Sequence, residues 1–148
     1  MKVNDIMTRP LQTCTLHDNL ATVAMRMWES DCGALPVKNH EGRVVGMITD
    51  RDICMAAATK HHEISDIVVW ETITGDLVAC HPEDEITSAL HAMATRQVRR
   101  LPVIDEQGML EGILSMNDII LNADHKIAEH DVLSALKAIC QHRRLVGI

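Results

Sequence analysis

The sequence predicts an α/β (α+β) fold in which two β-α-β-β-α units pack together and a last helix closes the chain. Three observations carry that prediction. An internal repeat runs at a fixed offset of 66 residues without a gap. The apolar pattern inside each copy switches between helical and strand periods. One copy is also too short to bury a core of its own, so the two must share one.

The repeat is read directly. Leu35-Pro36-Val37 returns as Leu101-Pro102-Val103, Gly42 as Gly108, Gly46 as Gly112, Thr49 as Ser115 and Asp52 as Asp118. The same offset carries Met7-Thr8 onto Ile73-Thr74, Cys14 onto Cys80, Asp18 onto Asp84, Leu20 onto Ile86 and Met27 onto Met93. This sets repeat 1 at residues 1–60, repeat 2 at 61–123 and a closing helix or tail at 124–148.

Inside each copy the elements follow in order. Asp18 is expected to cap a helix with Leu20, Val23, Ala24 and Met27 on its apolar face, and Asp84 one with Ile86, Ala89, Leu90 and Met93. A short strand Ala34 to Val37, a polar turn Asn39 to Gly42 and a second strand Val44 to Ile48 come next, before a helix from about Asp50. Copy two gives Leu101 to Ile104, a turn through Gln107-Gly108, Leu110 to Leu114 and a helix from about Met116. In the last stretch, Asp124 to Arg144, the residues Ile127, Val132, Leu133, Leu136 and Ile139 stand at roughly helical spacing.

Composition bounds the function. The chain has 148 residues, 47% hydrophobic and 24% charged, which is globular and excludes disorder and disulfide-dense scaffolds. It has two Trp, no Phe, no Tyr and nine Met. The core must therefore be aliphatic, and Met25, Met27, Met93 and Met109 are expected to fill it. With few rings to stack on bases, a net charge of −7 and no basic block beyond Arg99-Arg100 and Arg143-Arg144, nucleic acid is not an expected partner. The start lacks a signal-type apolar core, and no apolar run reaches the roughly 18 residues that span a bilayer, so a cytoplasmic protein without membrane contact is expected. The five cysteines, Cys14, Cys32, Cys54, Cys80 and Cys140, form an odd set without C-x-x-C and read as small buried hydrophobes. His61-His62 and Cys80-His81 lack partners at ligand spacing, so no metal site is expected. His17 and His81 read as turn residues.

Two segments carry the chemistry: Gly46-Met47-Ile48-Thr49-Asp50-Arg51-Asp52 and Gly112-Ile113-Leu114-Ser115-Met116-Asn117-Asp118. Each is G-x-x-[ST]-x-x-D where a strand meets a helix. A hydroxyl at a helix start, beside amides with no intrahelical partner, is a seat for phosphate oxygens. An Asp three residues on can accept hydrogen bonds from vicinal ribose hydroxyls. The same spacing also matches a capping box that only satisfies the helix end. The two readings can coexist.

The paired motif, the L-P-V strand before each copy and the helix pattern resemble the cystathionine-β-synthase (CBS) domain family over residues 1 to about 123. Two repeats in one chain look like a Bateman module. The resemblance implies a pseudo-twofold pair with two clefts, often dimeric, that binds AMP, ADP, ATP or S-adenosylmethionine and senses metabolite state. Carried over by position, it implies a first cleft using Thr49, Arg51 and Asp52 with Thr74, Ala79, Val98, Arg99 and Arg100. It implies a second using Ser115, Asn117 and Asp118 with Thr8, Thr13, Cys32 and Gly33. Arg99 and Arg100 correspond to Gly33 and Ala34, so only the first cleft gains two guanidinium groups for phosphate. The plain alternative for this pair is a solvated strand edge.

No nucleophile with an adjacent base, acid/base pair, P-loop or catalytic metal set stands at recognisable spacing, so no enzyme and no catalytic cofactor are expected. The expectation is a ligand-sensing module acting on an effector protein or on its own homodimer. The competing expectation is a structural association module with vacant clefts.

Overall fold

The computed structural model describes residues 1–9, 12–73, 75–123 and 127–141. The chain forms two compact bodies. The repeat-1 body comprises Arg9–Leu77 with Ile104–Leu110, and the repeat-2 body comprises Met1–Thr8, Val78–Val103 and Glu111–Ile148.

In the repeat-1 body, β1 (Cys14–Thr15), β2 (Ala34–Lys38) and β3 (Val44–Thr49) form a sheet in the order β1-β2-β3. β1 runs parallel to β2 with Cys14 opposite Val37, and β2 runs antiparallel to β3 with Leu35 opposite Ile48 and Val37 opposite Gly46. Pro36 has no amide to give to a ladder. β1 pairs only at Val37 and Lys38, so no bond is lost there. α2 (Leu20–Glu29) and α3 (Asp50–Thr59) pack on this sheet, followed by two 3-10 turns, Ile64–Asp66 and Val69–Glu71. Their core is aliphatic: Leu20, Val23 and Met27 of α2 meet Leu35, Val37, Ile48, Ile53, Ala56, Ile67 and Val69.

The repeat-2 body is built on the same plan. It holds α1 (Val3–Ile6), α4 (Ile86–Arg96), α5 (Met116–Leu121) and α6 (Glu129–Cys140), and the β4 (Arg100–Ile104) and β5 (Leu110–Ser115) pair arises from the second repeat. The counterpart of β1 is a single parallel bridge, Cys80 to Val103. The first residues of the chain join this body: Val3 N–H donates to Asp84 O at 2.9 Å, and Thr8 exchanges bonds with Ile113 at 2.9 and 2.7 Å. Val3 is fully buried here, as its counterpart Val69 is in the repeat-1 body.

That approach explains one letter of the motif. A Cβ on Gly112 would stand 2.8 Å from both Thr8 O and Met7 Sδ, so the passing strand leaves no room for a side chain. At Gly46 the nearest atom is Ile73 Cδ1 at 3.4 Å, ordinary contact with a flexible tip. The hairpin turns match as well. Asn39 Oδ1 accepts from the amides of Glu41 and Arg43, and Asp105 Oδ1 from those of Gln107 and Met109. Gly42 and Gly108 take φ of 80° and 81°, which only glycine adopts without cost.

Several expectations need correcting. Asp18 and Asp84 do not cap α2 and α4. Asn19 is the N-cap of α2 and accepts from Thr22 N–H at 2.9 Å, while Glu85 stands at the N-cap of α4 without a side-chain bond. Asp18 and Asp84 instead close the preceding turns by accepting from Thr15 N–H and His81 N–H. Asp18 also pairs with Arg26 at 2.6 Å. The expected closing helix is present as α6, but it buries Val132, Ala135 and Ile139 and leaves Leu133 exposed. Asp124, Arg143 and Arg144 lie outside the described residues. Met27 and Met93 are core, whereas Met25 and Met109 are exposed. Of the cysteines only Cys14 and Cys80 are buried; Cys32, Cys54 and Cys140 are exposed.

Two tests follow from this packing. Gly112→Ala should destabilise the fold by about 1–3 kcal/mol in denaturant unfolding, the usual range for overpacking, and Gly46→Ala by distinctly less. Equal costs would show that the Thr8 approach is not what demands glycine. Burial, reinforced by Asp18 and Asp84 respectively, pushes the Cys14 and Cys80 thiols up to about 12. Both therefore stay protonated at pH 8, and the thiolate is the nucleophile. A disulfide reagent at that pH should label three thiols quickly in the native protein and the remaining two only on unfolding.

Candidate functional site

Both strand-to-helix junctions are true capping boxes. In the repeat-1 body Thr49 is the N-cap of α3: its Oγ1 accepts from Asp52 N–H at 3.1 Å, and Asp52 Oδ2 accepts from Thr49 N–H at 2.9 Å. In the repeat-2 body Ser115 and Asp118 do the same for α5, at 3.1 and 2.7 Å. Each box satisfies two backbone donors that a helix start would otherwise leave orphaned. The next amide is used too. Asp50 N–H donates to Gly33 O and Met116 N–H to Arg99 O, each at 2.9 Å, tying each helix to the residue that enters β2 or β4, the first strand of its hairpin.

The two carboxylates differ in what they have left. Asp118 Oδ2 accepts a second bond, from Ser115 Oγ–H at 2.6 Å, whereas Asp52 Oδ2 accepts only the Thr49 amide. Neither Oδ1 has a protein partner among the described residues. A carboxylate offers about four acceptor positions. Asp52 thus keeps more capacity for an outside donor than Asp118.

The expected site residues fall as follows. Thr49, Asp52, Thr13, Cys32 and Gly33 belong to the repeat-1 body together with exposed Arg51. Thr13 O accepts from Arg26 at 3.1 Å, and Cys32 N–H donates to Met27 O at 3.0 Å. Ser115, Asp118, exposed Asn117, Ala79, Val98, Arg99, Arg100 and Thr8 belong to the repeat-2 body. There the Thr8–Ile113 bonds put Thr8 beside the strand that ends at Ser115. Val98 packs against the core, and Arg99 and Arg100 are exposed. Thr74 lies outside the described residues.

Sequence reasoning passed over Asp50. Its carboxylate occupies the space where a Gly33 Cβ would stand, 2.9 Å from Oδ2, and its Oδ1 accepts from Arg51 N–H at 2.8 Å. The signal was available in the coupled difference Gly33/Asp50 against Arg99/Met116 at equivalent positions. A residue with a side chain at one place goes with an uncharged partner at the other.

Among the described residues no group of three or more His, Cys, Asp or Glu is placed to hold a metal, and no helix is long and apolar enough to cross a membrane. The chain is 33% identical over 143 residues to Hypoxic response protein 1 of Mycobacterium tuberculosis, covering 97% of this chain and 96% of that protein. It is 33% identical over 122 residues to YlbB of Bacillus subtilis, covering 82% and 81%. The crystal structure of Hypoxic Response Protein I with two coordinated zinc ions matches with a TM-score of 0.76 at 31% identity, over 84% of this chain and 100% of that one. The CBS domain pair of MJ0100, solved with 5'-methylthioadenosine and S-adenosyl-L-methionine, shares the fold with a TM-score of 0.75 at 22% identity, over 84% and 100%. The CBS-domain family model matches residues 3–59 and 64–125, one match per repeat, and the chain belongs to the CBS-domain family.

Proposed function

We propose that this protein is a non-catalytic regulatory module that binds an adenosine-containing ligand, AMP, ADP, ATP or S-adenosylmethionine, at its strand-to-helix junctions. The observation that carries the reading is the spare capacity of the Asp52 carboxylate. Its box is closed through Oδ2 alone, so Oδ1 and one further lone pair stand ready, on a rigid mount, for a pair of vicinal hydroxyls. MJ0100, a CBS domain pair of the same fold, holds two adenosine compounds, which supports this ligand class for the test. Thr49, Arg51 and Asp52 are the assigned core of the stronger site, with Thr74, Ala79, Val98, Arg99 and Arg100 allotted to it by family resemblance. Ser115, Asn117 and Asp118, with Thr8, Thr13, Cys32 and Gly33, form the weaker one, because Ser115 already spends the Asp118 acceptor. The module works as a homodimer in the cytoplasm and signals to an effector by population shift.

Thermal melting tests the reading. A ligand at about a hundred times its dissociation constant adds about 2.7 kcal/mol to the folded state. For a chain of this size that is a rise of about 5–11 °C. Asp52→Asn keeps an amide oxygen for the Thr49 N–H, so the apo melt should move little while the nucleotide shift collapses. Asp118→Asn should reduce the shift less. If none of the four ligands at millimolar concentration raises the wild-type melt, the protein is an association module with vacant sites.

Arg100→Glu isolates the phosphate contribution. It should weaken AMP or ATP binding by about 1.5–3 kcal/mol in calorimetry, the range for hydrogen bonds to charged groups. Unchanged affinity would return Arg100 to a solvated strand edge.

A further inference from the structure

One side chain of the repeat-1 body ends on the backbone of a residue allotted to the weaker site. Arg26, on α2, sends its Nη1 to two acceptors, the Thr13 carbonyl at 3.1 Å and Asp18 Oδ2 at 2.6 Å. Asp18 Oδ2 also accepts from Thr15 N–H at 2.9 Å. The three bonds make a clamp, from Thr13 O through Arg26 and Asp18 to Thr15 N–H, that grips the chain on both sides of Cys14. Cys14 itself is buried and paired with Val37 of β2. The side chains of Arg26 and Asp18 are only 32% and 24% exposed, so water and salt screen the pair less than they would on an open surface.

Shifted by 66 residues, the clamp loses its centre. Thr13 becomes Ala79, Asp18 becomes Asp84 and Arg26 becomes Ala92. The turn survives, since Asp84 Oδ2 accepts from His81 N–H at 2.8 Å just as Asp18 Oδ2 accepts from Thr15 N–H. Ala92 packs against the repeat-2 core with a methyl group, which cannot donate to the Ala79 carbonyl. An arginine is therefore not needed to form this turn. An ion pair that served the turn alone would also end at Asp18, whereas the same nitrogen of Arg26 goes on to Thr13. What Arg26 adds is control of one carbonyl.

Thr13 and Ala79 stand at equivalent positions of the two adenosine sites. A carbonyl has two lone pairs, so a guanidinium on one fixes the group and leaves the other for a ligand. A charged donor holds its acceptor more firmly than a neutral one does. Backbone that is ordered beforehand removes that ordering cost from binding. The weaker site, where Ser115 occupies part of the Asp118 carboxylate, thus has the more firmly held backbone. We propose that Arg26 is a positioning residue for the adenosine site that contains Thr13, holding the Thr13 carbonyl oriented before an adenosine-containing ligand arrives. The inference rests on the adenosine reading and gives Arg26 no contact with the ligand.

The test is calorimetry on the full chain, well below its melt, with AMP and S-adenosylmethionine as probes. Asp52→Asn leaves the Thr13 site to be read, and Asp118→Asn leaves the other. Arg26→Met keeps an apolar stem and removes both bonds. In the Asp52→Asn chain it should weaken each probe that binds the wild-type chain by about tenfold, equivalent to 1.4 kcal/mol and within the cost of ordering the backbone of one residue. In the Asp118→Asn chain it should leave affinity within about twofold. Arg26→Lys should recover most of the loss, because both bonds leave a single nitrogen that an ammonium can replace. A purely structural ion pair would lower the apo melt and leave both affinities where they were. That result overturns the proposal, as do equal losses in the two chains, a Lys variant as weak as the Met variant, or an Asp52→Asn chain that binds neither probe, and in each case the adenosine reading stands. If neither probe binds the wild-type chain, the adenosine reading fails and the role of Arg26 falls with it.

Discussion

The reciprocal pair of hydrogen bonds between a hydroxyl residue and an Asp three positions later is the constraint from which the rest of each repeat is organised. Thr49 with Asp52, and Ser115 with Asp118, fix where a strand stops and a helix begins. A cap of this kind contributes about 1 kcal/mol, and a carboxylate at the positive end of a helix a further 0.3–1 kcal/mol. Position matters more than the sum. Once the box is closed, the following amide points at the carbonyl of Gly33 or Arg99, and helix, strand and strand entry are locked together. Capping and ligand binding are therefore not rivals for these residues. The cap holds a carboxylate in one orientation, with one oxygen committed to the box.

Much of this was legible because it is local. The 66-residue offset, the strands, the polar turns closed by Asn39 and Asp105, and the helix starts at Asp50 and Met116 all depend on residues a few positions apart. What escaped depends on partners far along the chain or on a single step of register. Asp18 and Asp84 sit one residue too early to cap, and only the turn geometry distinguishes Asp18 from Asn19. The motif glycine reads as part of a ligand signature, yet the atom that demands it at position 112 is the carbonyl of Thr8. The exposure of Met25, Met109 and Leu133 and of three cysteines escaped for a similar reason. Apolar type constrains a residue toward burial, but it does not decide which face of an element or loop the residue ends on.

Duplication lets each difference between the repeats be read as a coupled change rather than a lone substitution. Asp50 is tolerated because Gly33 has no Cβ, and Arg99 is accompanied by Met116, which carries no charge and is buried. Gln97 accompanies a helix whose carbonyls need a donor, and Asp31 accompanies the absence of that helix.

The same comparison separates the surroundings of the two copies. In the repeat-2 body Ser115 turns its hydroxyl proton inward to Asp118, Met116 is core, and α6 buries Val132, Ala135 and Ile139, while Leu121 and Leu133 stay exposed. In the repeat-1 body the Asp52 box is closed more sparingly, Asp50 faces a groove, and Trp28 stands in solvent. Exposing a large ring and placing two carboxylates beside it adds nothing to folding; the burial available to Trp28 alone amounts to about 1.5–3 kcal/mol that the isolated chain forgoes. Equivalent positions therefore end in different surroundings: Trp28 is exposed in the repeat-1 body, whereas its counterpart Ala94 packs against the repeat-2 core.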